Sequence, residues 1–360
     1  MKLSKTVKTL AVILIIGVAS LLAYTLLSGP QPSCTTTWGC AASYPLQAGG
    51  IYGVAGQQCG SSSTFVYCIG GVAANGGPSS AVYAATFSAS GNITAWSREP
   101  DGYPQNVTGQ ACADSSGYLY CVGGIYNDEG DDLASSYYAS VSSNGTLGQW
   151  HPTTAYPIPI DSEACIAWAS YIYCVAGNNE TAGSVDNVAP SSSVWFAPLG
   201  SSGIGNWSET TPYPAGTYVP TCYGTGGYVY CLGGSDSNED PLGTAYFAPL
   251  SAHGVGAWTV TTTYPVASTG QACAIESGYI YCVGGETGGG QSPTFSNEVY
   301  FATISSQGIG PWKQAPNFPQ TAGTTCVSAR GNLYCMGGFD ESSVGVDDVV
   351  NYASLASLSG

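Results

Sequence analysis

The chain has 360 residues, with six Lys and Arg against twenty-two Asp and Glu, for a formal net charge of -16. Lys2, Lys5 and Lys8 precede an apolar segment, so the remainder carries 3 - 22 = -19, which excludes a binder of free phosphate backbones. Fifty Gly and twenty-six Tyr, with almost no Lys or Arg, disfavour long surface helices and suit short strands joined by tight turns, and fourteen Cys fit an oxidising compartment.

Residues 1–9 form a short basic segment, expected on the cytoplasmic side. Leu10 to Leu27 are eighteen residues without a charge, long enough to span a bilayer. The segment reads as a signal anchor or, alternatively, as a cleaved signal peptide. The anchor is favoured because a cleavable signal usually has a shorter apolar region and a small-x-small site, which SGPQPSC does not clearly supply. In either case the basic flank stays inside and the rest is exported, placing the protein at the cell membrane with its C-terminal part outside, or secreted. Residues 28–33 form a linker, and 34–360 form the folded unit. N-x-S/T patterns at Asn92, Asn106, Asn144, Asn179 and Asn206 coincide with predicted turns and are candidate glycosylation sites of an exported chain.

Twelve cysteines form six C-x8-C pairs: Cys59 with Cys68, Cys112 with Cys121, Cys165 with Cys174, Cys222 with Cys231, Cys273 with Cys282 and Cys326 with Cys335. Their first members are 53, 53, 57, 51 and 53 residues apart, a period of propeller blades rather than helical solenoids. In CADSSGYLYC, a two-residue turn at Ser116 and Gly117 makes Ser115 face Tyr118 and therefore Cys112 face Cys121. Directly opposed residues on antiparallel strands stand close enough for a disulfide. Each pair is therefore expected to staple the first two strands of one blade. Zinc is the alternative for such pairs, and the absence of supporting His argues against it.

A small-residue pair follows each second Cys: Gly70 and Gly71, Gly123 and Gly124, Ala176 and Gly177, Gly233 and Gly234, Gly284 and Gly285, Gly337 and Gly338. These positions imply a crowded bend that side chains would obstruct. A variable loop comes next, then a third strand written VYAATF, YYASV, WFAPL, YFAPL, YFATI or NYASL. A fourth strand carries Trp96, Trp150, Trp207, Trp258 or Trp312. Six or seven residues beyond each Trp stands an aromatic-Pro step, at Tyr103, Tyr156, Tyr213, Tyr264 or Phe318, which opens the connection to the next blade.

This register of double Gly, third-strand aromatic and fourth-strand Trp resembles the kelch-like β-propellers, over about residues 34 to 360. The resemblance implies an all-β fold of six four-stranded antiparallel blades. The per-blade cysteines, the Tyr-Pro step and Ala176 depart from intracellular kelch domains, and partners known for those domains do not carry over.

The sixth repeat ends NYASLASLSG without a Trp strand, and CTTTWGCAASYP near the N-terminus supplies Trp38 and the Tyr44-Pro45 step. Residues near 35 to 40 are thus expected to form the outer strand of the last blade and close the ring, which removes an exposed edge. The alternatives are an unclosed N-terminal tail and strand exchange between copies, the latter giving self-association. Six residues of extended strand span about 20 Å, whereas bridged cysteines need Cα atoms about 4.4 to 6.8 Å apart. Either the strand is short and Cys34 bonds Cys40 across a compact loop, or the two reach different partners. The compact loop is favoured because no other Cys is left unpaired.

The fourth strand starts on the face of the first-to-second strand turns, so the anchor enters there. The opposite, distal face bears the second-to-third strand loops and the blade connections. The acidic loops lie there: Asp128, Glu129, Asp131 and Asp132, then Asp236, Glu239 and Asp240, then Asp340, Glu341, Asp347 and Asp348. Recognition on a rigid scaffold is expected from such loops. The first cluster is the candidate calcium site, although it lacks the EF-hand spacing.

Covalent chemistry has little support. His151 and His253 have no Ser or Asp constellation around them, and the Gly284 to Pro293 segment lacks the Lys of a phosphate loop. Trp168 and Trp195 fall outside the repeated Trp position and serve either blade packing or sugar stacking, with packing favoured. The reading is a membrane-tethered extracellular module that binds protein or glycan through its distal face. The alternatives are a carbohydrate-processing enzyme using loop carboxylates and a structural envelope or filament subunit. No catalytic residue and no nucleic-acid partner is expected.

Overall fold

The computed structural model describes residues 34–45, 56–72, 77–127, 130–143, 145–179, 188–289, 294–319, 324–340, 345–346 and 349–360. The apolar segment 10–27 and its flanks lie outside the described residues. Among those described, no helix is long and apolar enough to cross a membrane.

Six antiparallel sheets repeat around a central axis. Blade one comprises Gln58–Ser61, Phe65–Ile69, Val82–Phe87 and Ile93–Arg98, and blade two Ala111–Ser115, Tyr118–Val122, Ser136–Ser140 and His151–Pro152. Blades three to five begin with Ala164–Trp168, Thr221–Thr225 and Ala272–Glu276, and in each the outer strand is split into two short pieces, as in Gly203–Ile204 and Ser208–Glu209. Blade six comprises Thr325–Ala329, Asn332–Met336, Val350–Ser354 and the N-terminal Gly39–Cys40. The expected turn register holds: Ser115 faces Tyr118 and Cys112 faces Cys121. Ser116 and Gly117 both take positive φ, 52° and 79°, as a primed two-residue hairpin turn requires.

All seven disulfides are formed. The six blade staples have Cα atoms 4.0 to 4.1 Å apart, and Cys34–Cys40 spans 5.6 Å. Each blade staple closes a loop of only a few residues and contributes about 2 to 3 kcal/mol at most in the chain-entropy account. The closing strand is shorter than the expected 35 to 40. Only Gly39 and Cys40 pair, with Tyr352 and Asn351, and the preceding residues curl so that Thr35 N donates to Trp38 O at 2.8 Å. After the last strand the chain forms a short helix, Leu355–Ser359, which the sequence reading did not anticipate. Ser354 caps it by accepting from Ser357 N, and Leu355 and Leu358 bury against the cluster containing Trp38 and Phe318.

Blade-to-blade seams use one aromatic device six times. The aromatic of each aromatic-Pro step packs edge-to-face on the Trp of the following blade. Tyr44 meets Trp96, Tyr103 meets Trp150, Tyr156 meets Trp207, Tyr213 meets Trp258, Tyr264 meets Trp312 and Phe318 meets Trp38, with centroids 4.9 to 5.0 Å apart. Each such pair contributes about 0.5 to 1.5 kcal/mol beyond its burial. In five of the six, the Trp Nε1 also donates to the carbonyl two residues before the aromatic, as from Trp96 to Ala42 and from Trp38 to Pro316.

Nearer the axis, a second device joins the blades. Gln57, Gln110 and Gln271, two residues before the first Cys of their blades, each donate Nε2 to the second strand of the preceding blade, at Met336, Ile69 and Leu232 O. This explains the double Gly. A Cβ at Gly70 would stand 2.6 Å from Val107 O and 2.7 Å from Gln110 Nε2, and φ there is +66°. Ala176, the exception, precedes the one blade whose Gln position holds Pro220, so no amide side chain occupies that space.

Because Trp38 is 1% exposed and touches Phe318, Trp38→Ala is expected to cost about 3 to 5 kcal/mol in urea unfolding. The Trp38→Ala, Phe318→Ala double variant should cost less than the sum of the singles, since the two rings share one contact.

Candidate functional site

The inner strands enclose an axial cavity of about 810 Å³. Its wall is made of small residues and one cysteine from each blade staple, including Cys59, Cys165 and Cys273. At its distal mouth the inner strands are preceded by a residue in the left-handed region. Gly56, Gly109 and Gly270 occupy three of these positions, but Ser162 and Val219 occupy two others with φ of 55° and 54°. A β-branched residue is disfavoured there, so the blade-four entrance is locally strained.

The strained residue borders the acidic part of the mouth, where Tyr218, Glu239 and Glu286 line the cavity. Glu286 follows the double Gly of blade five and bridges to Thr269 through the backbone, which aims it inward. It is 7% exposed, and among the described residues no side-chain hydrogen bond holds it. Burial raises its carboxyl to about 7, and the Glu239 carboxylate adds to the rise. Burial also pushes the Tyr218 hydroxyl up, with further contributions from Glu239, Glu286 and Asp161. Asp161 is a structural carboxylate: Ser162 Oγ donates to Oδ1 at 2.5 Å and Asn178 Nδ2 to Oδ2 at 2.9 Å. Ile125, Val188 and Phe295 add an apolar collar to the same mouth. The cations among the described residues stand elsewhere. Arg98 and Lys313 are in outer strands, and Arg330, in a hairpin turn on the opposite face, donates to Ser88 O and Ala89 O.

Of the acidic loop residues singled out in the sequence, Glu239 alone among those described joins this mouth. Asp236 Oδ1 accepts from the backbone N of Asn238 and Asp240, so its carboxylate shapes its own loop. Asp128 and Glu129 of the expected calcium cluster lie outside the described residues, as do Glu341, Asp347 and Asp348. Asp131 accepts from Tyr126 Oη and Asn127 Nδ2 within its loop. Asp340 ends a two-residue strand, Phe339–Asp340, paired with Gly345–Val346. Among the described residues no group of three or more His, Cys, Asp or Glu is placed to hold a metal ion. Asn106 and Asn206 are exposed, Asn92 and Asn179 are half-buried, and Asn144 lies outside the described residues. His151 packs on Tyr138, 5.5 Å between centroids, and His253 lies in an exposed turn. Trp195 and Trp168 pack between blades, Trp195 at 6.5 Å from Tyr156.

Sequence reasoning overlooked Glu286 and Glu163. Glu286 sits in a Gly-rich stretch that reads as a flexible loop, and its signal is its place directly after a double Gly. Glu163 occupies the repeated Gln position and was legible only by aligning that column.

The architecture defines the chain as a six-bladed β-propeller with one disulfide per blade, and seven disulfides fit an extracellular or secreted protein. No family model matches it, and no curated protein matches it. Among solved structures it is similar to that of YjhT, with a TM-score of 0.67 at 14% identity, covering 86% of this chain and 95% of that one. At this identity the likeness is one of fold.

Val219→Gly removes the left-handed strain at the mouth and is expected to stabilise the protein by about 1 kcal/mol, read as a higher thermal midpoint with the disulfides intact. An unchanged or lower midpoint would show that the Val219 side chain offsets its backbone cost.

Proposed function

We propose that the chain is a membrane-tethered extracellular binding module of the kelch-like type, which takes a basic segment of a partner protein at the distal mouth of its axial cavity. The carrying observation is Glu286, buried beside Glu239 and, among the described residues, with neither a side-chain hydrogen bond nor a Lys or Arg near it. A cationic side chain entering the mouth would pair with both carboxylates, and Ile125, Val188 and Phe295 would cover its aliphatic stem. Attachment through segment 10–27 and linker 28–33 would turn this mouth away from the membrane. The remaining acidic loops, including Asp240 and the cluster around Asp131 and Asp132, would steer a basic partner toward it, with calcium at that cluster as a separate proposal. A protein ligand is favoured over a glycan because Trp168 and Trp195 are engaged in packing rather than offered as stacking platforms.

The test is binding of Lys/Arg-containing peptides, with acidic peptides and glycans as comparators, to the full chain and to Glu286→Gln. Glu286 loses its proton as pH rises through about 7, so affinity for basic peptides should strengthen between pH 6 and 8. Glu286→Gln should weaken binding about ten- to a hundredfold at pH 8 and flatten that dependence, since loss of one charge-assisted contact is worth about 1.5 to 3 kcal/mol. Equal affinity of the variant, or preferential capture of glycans, would contradict the proposal.

A further inference from the structure

One seam differs chemically from its counterparts. Gln110 reaches back from blade two to donate Nε2 to Ile69 O, the residue before the double Gly of blade one, at 3.0 Å. Gln271 and Gln57 do the same to Leu232 O and Met336 O. Glu163 stands in this position at the junction of blades two and three, where the corresponding carbonyl is that of Val122. Its placement matches: a Cβ built at Gly123 lies 2.8 Å from Glu163 Oε1, just as one at Gly70 lies 2.7 Å from Gln110 Nε2. The atom that in the three Gln seams carries a proton is here an oxygen.

An ionised carboxylate has only acceptors and cannot make this contact. Glu163 is 6% exposed, and among the described residues no side-chain donor reaches its oxygens; the backbone N–H groups of Glu163 and Ala111 face them without the alignment of a full hydrogen bond. The titratable groups around it among the described residues offer no positive charge. Asp161 precedes it on the same connection, Asp132 comes from the loop of blade two, and Tyr103 and Tyr156 come from the two flanking aromatic-Pro steps. We infer that Glu163 is held as the neutral acid and donates its carboxyl proton to the carbonyl of Val122, so that the junction of blades two and three is a proton-dependent clamp, tight in acid and loosened when that proton is lost. The inference stands independently of the ligand proposed above.

Burial is the largest cause raising the Glu163 carboxyl well above the ordinary glutamate value; Asp161 and Asp132 add to the rise, and the backbone N–H groups of Glu163 and Ala111 oppose it without cancelling it. A carboxyl whose folded value exceeds its unfolded value makes the folded state bind the extra proton. Its stabilising contribution is therefore complete below the unfolded value of about 4.3 and is lost as pH rises from there toward the folded value. Each pH unit in that window multiplies the unfolding constant by up to ten for one proton. Gln at this position supplies a permanent donor and removes the dependence.

The experiment compares unfolding of the full chain and Glu163→Gln between pH 3 and 8, together with Gln110→Glu. Glu163→Gln should match the parent in stability near pH 4 and be the more stable of the two at pH 8, with an unfolding constant at least tenfold smaller. Gln110→Glu should introduce a second loss of stability above pH 5. Infrared difference spectra at pH 7 should show a protonated carboxyl present in the parent and absent from Glu163→Gln. Parallel pH profiles of parent and Glu163→Gln, or the absence of that carboxyl band, would overturn the inference. Changes in peptide affinity with Glu286→Gln leave these readouts untouched, so failure of one proposal is distinguishable from failure of the other.

Discussion

The edge-to-face contact between an aromatic-Pro step and the Trp of the next blade is the constraint on which the ring depends. A blade is a small twisted sheet with two apolar faces, and each face must be covered by a neighbour. Tyr or Phe at the end of one repeat lies against Trp in the next, so every blade is tied to the one that follows it in space. The sixth such pair, Phe318 with Trp38, joins the two ends of the described fold. Closure therefore needs no separate device, only the same contact made between distant pieces of chain.

The disulfides do different work. They lie within blades, across the two innermost strands, and so stiffen each hairpin without joining neighbours. Neighbours are joined by aromatic edges farther out, by Gln amides near the axis and by the double-Gly backbone. Gly71 N and Gly124 N donate to Val107 O and Ile160 O of the next blade. Ala176 with Pro220 shows the coupling between these parts, for where the amide is absent the side chain opposite it can return.

Periodicity made the scaffold legible. The C-x8-C spacing, the two-residue turn and the displaced Trp38 together implied blade number, strand register and ring closure, because each follows from local geometry repeated six times. The extent of the closing strand was less legible, since only Cys34 and Cys40 constrain it and their bond confines pairing to Gly39 and Cys40. The terminal helix is too short to give a periodic signal and is visible only as Ser354 before Leu355 and Leu358. The mouth was legible least. Counting acids pointed to the loops, where Asp236 spends its carboxylate on its own turn, whereas the buried Glu286 stands alone in sequence and acquires meaning only from the axis it faces.

The central claim is that the N-terminal segment is an integral part of the sixth blade, held by the same aromatic seam as the others. Hydrogen exchange of the intact protein tests it directly. Peptides covering residues 34–45 should be protected to the same degree as the outer strands of blades one to five, and should lose protection together with residues 349–358 as denaturant is added. Free exchange of 34–45 while the other blades remain protected would contradict the account.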